Sequence, residues 1–130
     1  MPSFREASKL KLSTCAEPLQ RLFNEVIKHT DCRIEEGHRG EVAQEIAFKG
    51  GNSRLHYPDS KHNKMPSKAV DATPYPWRWS REKELIHFAG KVMGIASMMG
   101  IPIRWGGDWD SNGDMRDQSF IDYPHFELVD

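Results

Sequence analysis

Between Pro18 and Thr30 the apolar residues Leu19, Leu22, Phe23, Val26 and Ile27 recur at i, i+3, i+4, i+7 and i+8. This spacing gathers them on one stripe of a helix entered through a proline, whose missing N–H costs nothing in the first turn. A longer helix is predicted with Ser80 as its N-cap, Glu82 and Glu84 in its first turns, and its end at Gly100, just before Pro102. Leu85, Ile86, Phe88, Ala89, Val92, Met93, Ala96 and Met99 give it a broad apolar face, with the methionines as core filler. A shorter helix is expected over "EVAQEIAFKGG", closed by two glycines.

Elsewhere the period falls to two. "CRIEEGHRG" reads as a short strand running into a glycine-flanked turn, with Arg39 where strand gives way to helix. In "KAVDATPY", Val70 and Ala72 face one way while Ala69, Asp71 and Thr73 face the other. "IPIRW" is a third strand. "HFELV" is a fourth, with Phe126 and Leu128 on one face and His125 and Glu127 on the other. Residues 51–68 form a polar loop, and "GGDWDSNGDMRDQSFIDYP" is a connection of the length that is usually either functional or disordered. Helices and strands mix without regular βαβ alternation. The expected class is therefore α+β, a small and mostly antiparallel sheet with helices packed on it.

Composition narrows the partners. A chain of 130 residues fits one domain, taken here as residues 1–130. Eighteen basic and nineteen acidic side chains leave a formal charge of -1 with no long like-charged run, so neither nucleic acid nor a membrane surface is expected, and the chain is expected to act as a monomer. "MPSFREASKLKLS" holds no apolar run of the length a secretory signal or membrane helix needs, which points to synthesis as a soluble cytoplasmic protein. Cys15 and Cys32 make no Cys-x-x-Cys pair and are read as reduced, partly buried thiols.

The candidate chemistry is metal-assisted. A catalytic zinc takes three ligands from His, Asp or Glu and leaves a position for water. His62 lies in the loop before a strand, Asp71 on that strand, and His125 at the start of the C-terminal strand; if the strands are neighbours, the three can meet. Each alone has an ordinary explanation, as do His29, His38, His56 and His87. In "DYPH", Asp122 precedes His125 by three residues and Pro124 holds Tyr123 extended, so a carboxylate can stand beside the ligand without being one.

"SKH", "AVD" and "D-x-x-H-x-E-L", with "GHR" and "RWGGDWD", together resemble the zinc D-alanyl-D-alanine carboxypeptidase and dipeptidase family, and within it phage endolysins of the L-alanyl-D-glutamate endopeptidase type. The resemblance spans residue 18 to the C-terminus and implies the fold shared with hedgehog-type domains. It implies zinc held by His62, Asp71 and His125, Asp122 as general base, Arg39 on the substrate carbonyl or carboxylate, and Ser60 in a supporting place beside the substrate. It implies hydrolysis of the L-alanyl-D-glutamate bond of peptidoglycan stem peptides by a chain made in the bacterial cytoplasm that reaches the wall after a membrane breach.

Two alternatives stand beside this: a D,D- or L,D-carboxypeptidase of peptidoglycan, and a non-catalytic zinc-stabilised binding module. The spacing from His62 to Asp71 is longer than the family's common short form, the extra residues falling in "NKMPS". "DWDSNGD" resembles the start of a calcium loop, but Ser119 stands where the bidentate glutamate belongs, so a rim loop lining the cleft is expected, with Trp105 and Trp109 as wall or core.

Overall fold

The computed structural model describes residues 2–129. They form, in chain order, α1 (Glu6–Leu12), α2 (Glu17–His29), β1 (Cys32–Glu36), α3 (Glu41–Lys49), β2 (Ala69–Pro74), α4 (Arg81–Met99), β3 (Ile103–Trp105) and β4 (His125–Leu128). Short 3-10 turns cover Lys61–Asn63 and Met115–Asp117. The strands make one antiparallel sheet, as the sequence pattern implies, and the structure sets their order as β1-β2-β4-β3. This order places β2 beside β4 and sets Asp71 directly opposite His125.

One face of the sheet is the core side. Ile34, Val70, Ala72 and Phe126 are buried there beneath α2 and α4. Phe126 takes Phe23 and Phe88 edge-on, with ring centroids 5.8 and 6.3 Å apart, pairs that add about 0.5–1.5 kcal/mol each beyond their area. The strict alternation of β2 and β4 then turns Asp71, His125 and Glu127 to the opposite face. The register that buries the core therefore also gathers the candidate ligands.

The ends of α4 fall where predicted. The Ser80 hydroxyl accepts the Lys83 N–H, a cap worth about 1 kcal/mol, and Gly100 closes the helix at φ 71°, a left-handed conformation that favours glycine. Buried Glu84 accepts the N–H groups of Arg78 and Trp79 at 3.0–3.1 Å and fixes the chain's approach to the helix.

One element departs from the sequence reading, and another is held in a way its sequence does not show. Helix α1 was not foreseen, because seven residues give too short a period to detect. Phe4, Ser8 and Leu12 nonetheless dock it against β1, where the Ser8 hydroxyl accepts the Ile34 N–H at 3.1 Å. Helix α3 forms where expected, but Val42 and Ile46 are 75% and 66% exposed while Gln44 is fully buried, so a polar anchor rather than an apolar stripe holds it. Both cysteines are free and buried, and burial pushes Cys15 up to about 11 and Cys32 up to about 12, as befits inert core thiols. Among the described residues no helix is long and apolar enough to cross a membrane.

Candidate active site

His62, Asp71 and His125 converge. Their ligating atoms all lie within 4.8 Å of one another, with the Asp71 Oδ1 atom 3.1 Å from His62 Nε2 and 3.1 Å from His125 Nδ1. The outward nitrogen of each ring is already committed. His62 Nδ1 stands 2.7 Å from the Gly37 carbonyl, which can only accept, so this nitrogen carries the proton. His125 Nε2 stands 2.8 Å from Glu127 Oε1 and donates in the same way. In its neutral form each ring therefore points a lone pair at a carboxylate oxygen. Three electron-rich atoms facing one another need a cation or a proton between them, and two imidazoles with one carboxylate are the donor set that suits zinc. Partners that fix the far nitrogen of each ligand are what metal sites use to set tautomer and orientation.

The local chain explains this placement. Ser60 caps the turn before His62: its hydroxyl accepts the His62 N–H, and its own N–H reaches Asn63 Oδ1, a reciprocal cap. Ser60 is thus buried support for His62 as well as part of the cleft wall. Gly37 has no room for a side chain, since a Cβ there would strike the Lys11 carbonyl and the Thr14 hydroxyl. Gly106 is equally constrained. A Cβ there would collide with the Asp122 backbone, whose N–H reaches the Gly106 carbonyl at 2.9 Å. The glycine of "RWGGDWD" thereby lets Asp122 approach the cluster.

Asp122 Oδ2 lies 3.9 Å from His125 Nδ1, on the cleft side of the ligands. Burial, reinforced by the Asp71 charge, pushes its carboxyl up to about 6, while His125, His62 and Arg39 pull the other way. Burial also opposes ionisation of Asp71, but the hydrogen bonds with His125 and His62 outweigh it and hold that carboxyl well below the usual range. For His125 burial favours the neutral ring, yet Asp71 and Glu127 prevail and raise it to about 9. These opposed shifts of neighbouring carboxyls are the pattern of a functional site.

Arg39 enters between β1 and α3. Its N–H bonds the His62 carbonyl at 2.8 Å, and its guanidinium faces Glu36 at 3.6 Å, Asp71 Oδ2 at 3.7 Å and Gln44 Oε1 at 3.0 Å. The structure thus brings together Arg39, Ser60, His62, Asp71, Asp122 and His125, with Arg39 both ion-paired and lining the cleft. The Asp108–Asp114 stretch folds into the rim. Asp108, Asp110 and Asp114 accept N–H groups of Gly113, Asn112 and Arg116 within the same loop. Trp105 is core and Trp109 is cleft wall.

Some contributors escaped the sequence reading. Glu127 shares a strand face with His125, a signal that was present but was given no role. Gln44 binds Arg39, Asn63, Ser53 and the Leu55 carbonyl at once, and it could have been noticed as a polar residue central to an otherwise apolar segment. Trp109 is the cleft wall expected of it, but its packing on the His125 ring, with centroids 5.2 Å apart, is a long-range contact no local pattern shows.

Comparison with known proteins agrees with this architecture. A family model described as phage L-alanyl-D-glutamate peptidase matches residues 2–129. The L-alanyl-D-glutamate peptidase of Escherichia phage T5 is 31% identical over 143 residues, covering 97% of each chain. Among solved structures, the L-Ala D-Glu endopeptidase ChiX of Serratia marcescens superposes with a TM-score of 0.71 at 24% identity, over 98% of this chain and 90% of that one, which shows a shared fold. With the match running the length of the described chain, this protein belongs to the phage L-alanyl-D-glutamate peptidase family.

Proposed function

We propose that the chain is a zinc-dependent peptidoglycan hydrolase that cuts between L-alanine and D-glutamate of the stem peptide, working as a single peptidase unit. The observation that carries this is the convergence of His62 Nε2, Asp71 Oδ1 and His125 Nδ1 beside Asp122 at the wall of an open cavity of about 370 Å³, in a chain of this family. His62, Asp71 and His125 would hold the metal. When bound, zinc supplies Lewis acidity that makes water a usable nucleophile near neutral pH.

The chain's own groups do the rest. Asp122 takes the proton of the attacking water and returns it to the leaving glutamyl amine, a role suited to a carboxylate raised toward neutrality. Arg39, always charged, faces the developing negative charge on the scissile carbonyl oxygen. Gln44 fixes the guanidinium in direction, and Asp71 sets its distance from the centre. Ser60 holds the His62 turn in place.

The deciding experiment is mass spectrometry of purified peptidoglycan digested by the zinc-loaded protein. A new D-glutamyl amino terminus is expected. Release of free D-alanine without that terminus would establish a carboxypeptidase instead, and metal analysis showing no zinc, together with activity indifferent to chelators, would remove the metallopeptidase reading.

A further inference from the structure

Two arginines line the cavity, Arg39 and Arg54, and they differ in how their charge is balanced. Arg39 is flanked by Glu36 and Asp71. The bonds of Arg54 go to neutral acceptors, the Ser119 carbonyl at 2.7 Å and the Ser119 hydroxyl at 3.3 Å, and its plane lies over the Phe120 ring at 4.9 Å. Among the described residues no carboxylate forms an ion pair with it. The nearby rim acid Asp117 is itself engaged by the amides of Asn112 and Gln118.

Arg54 is also held at a defined place relative to the chemistry. Phe120 stacks on Trp109 at 6.3 Å and 27°, the Trp109 indole N–H donates to the Phe120 carbonyl at 2.7 Å, and Trp109 packs on the His125 ring. A continuous wall of rings therefore runs from the guanidinium to a candidate metal ligand. Backed by an aromatic face, the planar fork is preorganised and keeps N–H donors to spare, the arrangement that favours carboxylate recognition over a flexible ammonium.

The substrate supplies the matching charge. A glutamyl residue acylated on nitrogen by alanine and continued through one of its carboxyls keeps the other, ionised at neutral pH. We propose that Arg54 is the carboxylate-binding residue of this cleft, receiving that free glutamyl carboxylate and so selecting acidic over amidated stem peptides. The inference rests on the peptidase reading given above and deepens it: Arg39 serves the scissile carbonyl, and Arg54 serves the anion beside it.

The test uses the zinc-loaded protein and two synthetic peptides containing L-alanyl-D-glutamate, identical except that the free glutamyl carboxyl is an acid in one and an amide in the other. The wild type should prefer the acid by roughly 10- to 100-fold in kcat/KM, the range of a charge-assisted hydrogen bond. In Arg54→Gln the two rates should converge, and Arg54→Lys, which keeps the charge without the fork, should retain part of the preference. A preference undiminished in Arg54→Gln, or both peptides slowed equally with the ratio preserved, would overturn the assignment and leave Arg54 as a clasp between two loops. If Arg54→Gln does not fold, Arg54→Lys decides: an unaltered acid preference overturns the proposal. Wild type cutting both peptides without preference overturns the subsite alone, whereas wild type cutting neither overturns the peptidase reading and the subsite with it.

Discussion

His125 donates from Nε2 to Glu127 Oε1 at 2.8 Å, two residues further along the same strand. The alternation that brings the ring to the same sheet face as Asp71 brings its orienting carboxylate as well. Glu127 is held from behind by Arg104 at 3.3 Å and Lys61 at 3.5 Å. Glu127→Gln should leave the fold intact but lower metal affinity by roughly 10- to 100-fold, as loss of such an orienting partner typically does. Competition with a chelator of known affinity measures this, and unchanged affinity would reduce Glu127 to a buried structural ion pair.

The roles proposed for His125 as ligand and Asp122 as base are separable although the two lie only three residues apart. His125→Ala should lose the metal, and its activity with it. Asp122→Asn should keep the metal yet lose roughly 10²- to 10⁴-fold in turnover, because an amide cannot accept the proton. Near-normal turnover, or metal loss as complete as in His125→Ala, would displace Asp122 from the role.

The metal-free cluster should bind a proton that the metal displaces. His125 is raised to about 9, so at neutral pH its ring is protonated and bridges to Asp71. Metal entry must expel that proton, and apparent affinity should rise about tenfold per pH unit up to about 9. Calorimetry in buffers of different ionisation enthalpy reads the protons released; none released at pH 7 would refute the shift. The same raised value means that His125 stabilises the metal-free fold in acid, and that this contribution is lost as pH rises through about 9.

Turnover should fall on the acid side as Asp122 gains its proton. With its carboxyl raised to about 6 in the metal-free protein, the acid limb of kcat should lie at or below that pH, since a bound dication draws the value down. The limb should be missing from the residual activity of Asp122→Asn. A limb that persists there belongs to another group.

Arg39→Ala should impair turnover more than metal binding, since the ring nitrogens and Asp71 Oδ1 remain in place. Turnover and metal content measured on the same sample decide this. Loss of the metal would show that the guanidinium chiefly stabilises the Asp71 charge.

Much of this was readable along the chain. Helices α2 and α4 announced themselves because long amphipathic periods and caps are local signals, and β2 and β4 because alternation is. Convergence of the ligands was not local. Asp71 and His125 meet only through strand pairing, and His62 only because a capped turn carries it to the same point. Helix α3 was legible from its glycine stop, but what holds it was not: Val42 and Ile46 stay exposed and the burial belongs to Gln44, whose amide satisfies four partners. Periodicity reports where apolar surface could go, and a buried hydrogen-bond hub can override it.

The tight seat of Gly37 ties the candidate metal site to the first helix of the chain. The His38 N–H reaches the Thr14 hydroxyl at 2.8 Å, and that hydroxyl in turn donates to the Lys11 carbonyl at the end of α1. The carbonyl that orients His62 is thus aimed by the first helix, through a backbone too close for any other residue. A minimal catalytic unit therefore cannot be cut to begin at α2: trimming α1 should blunt the centre's grip on its ion while the aromatic core around Phe126 stays assembled.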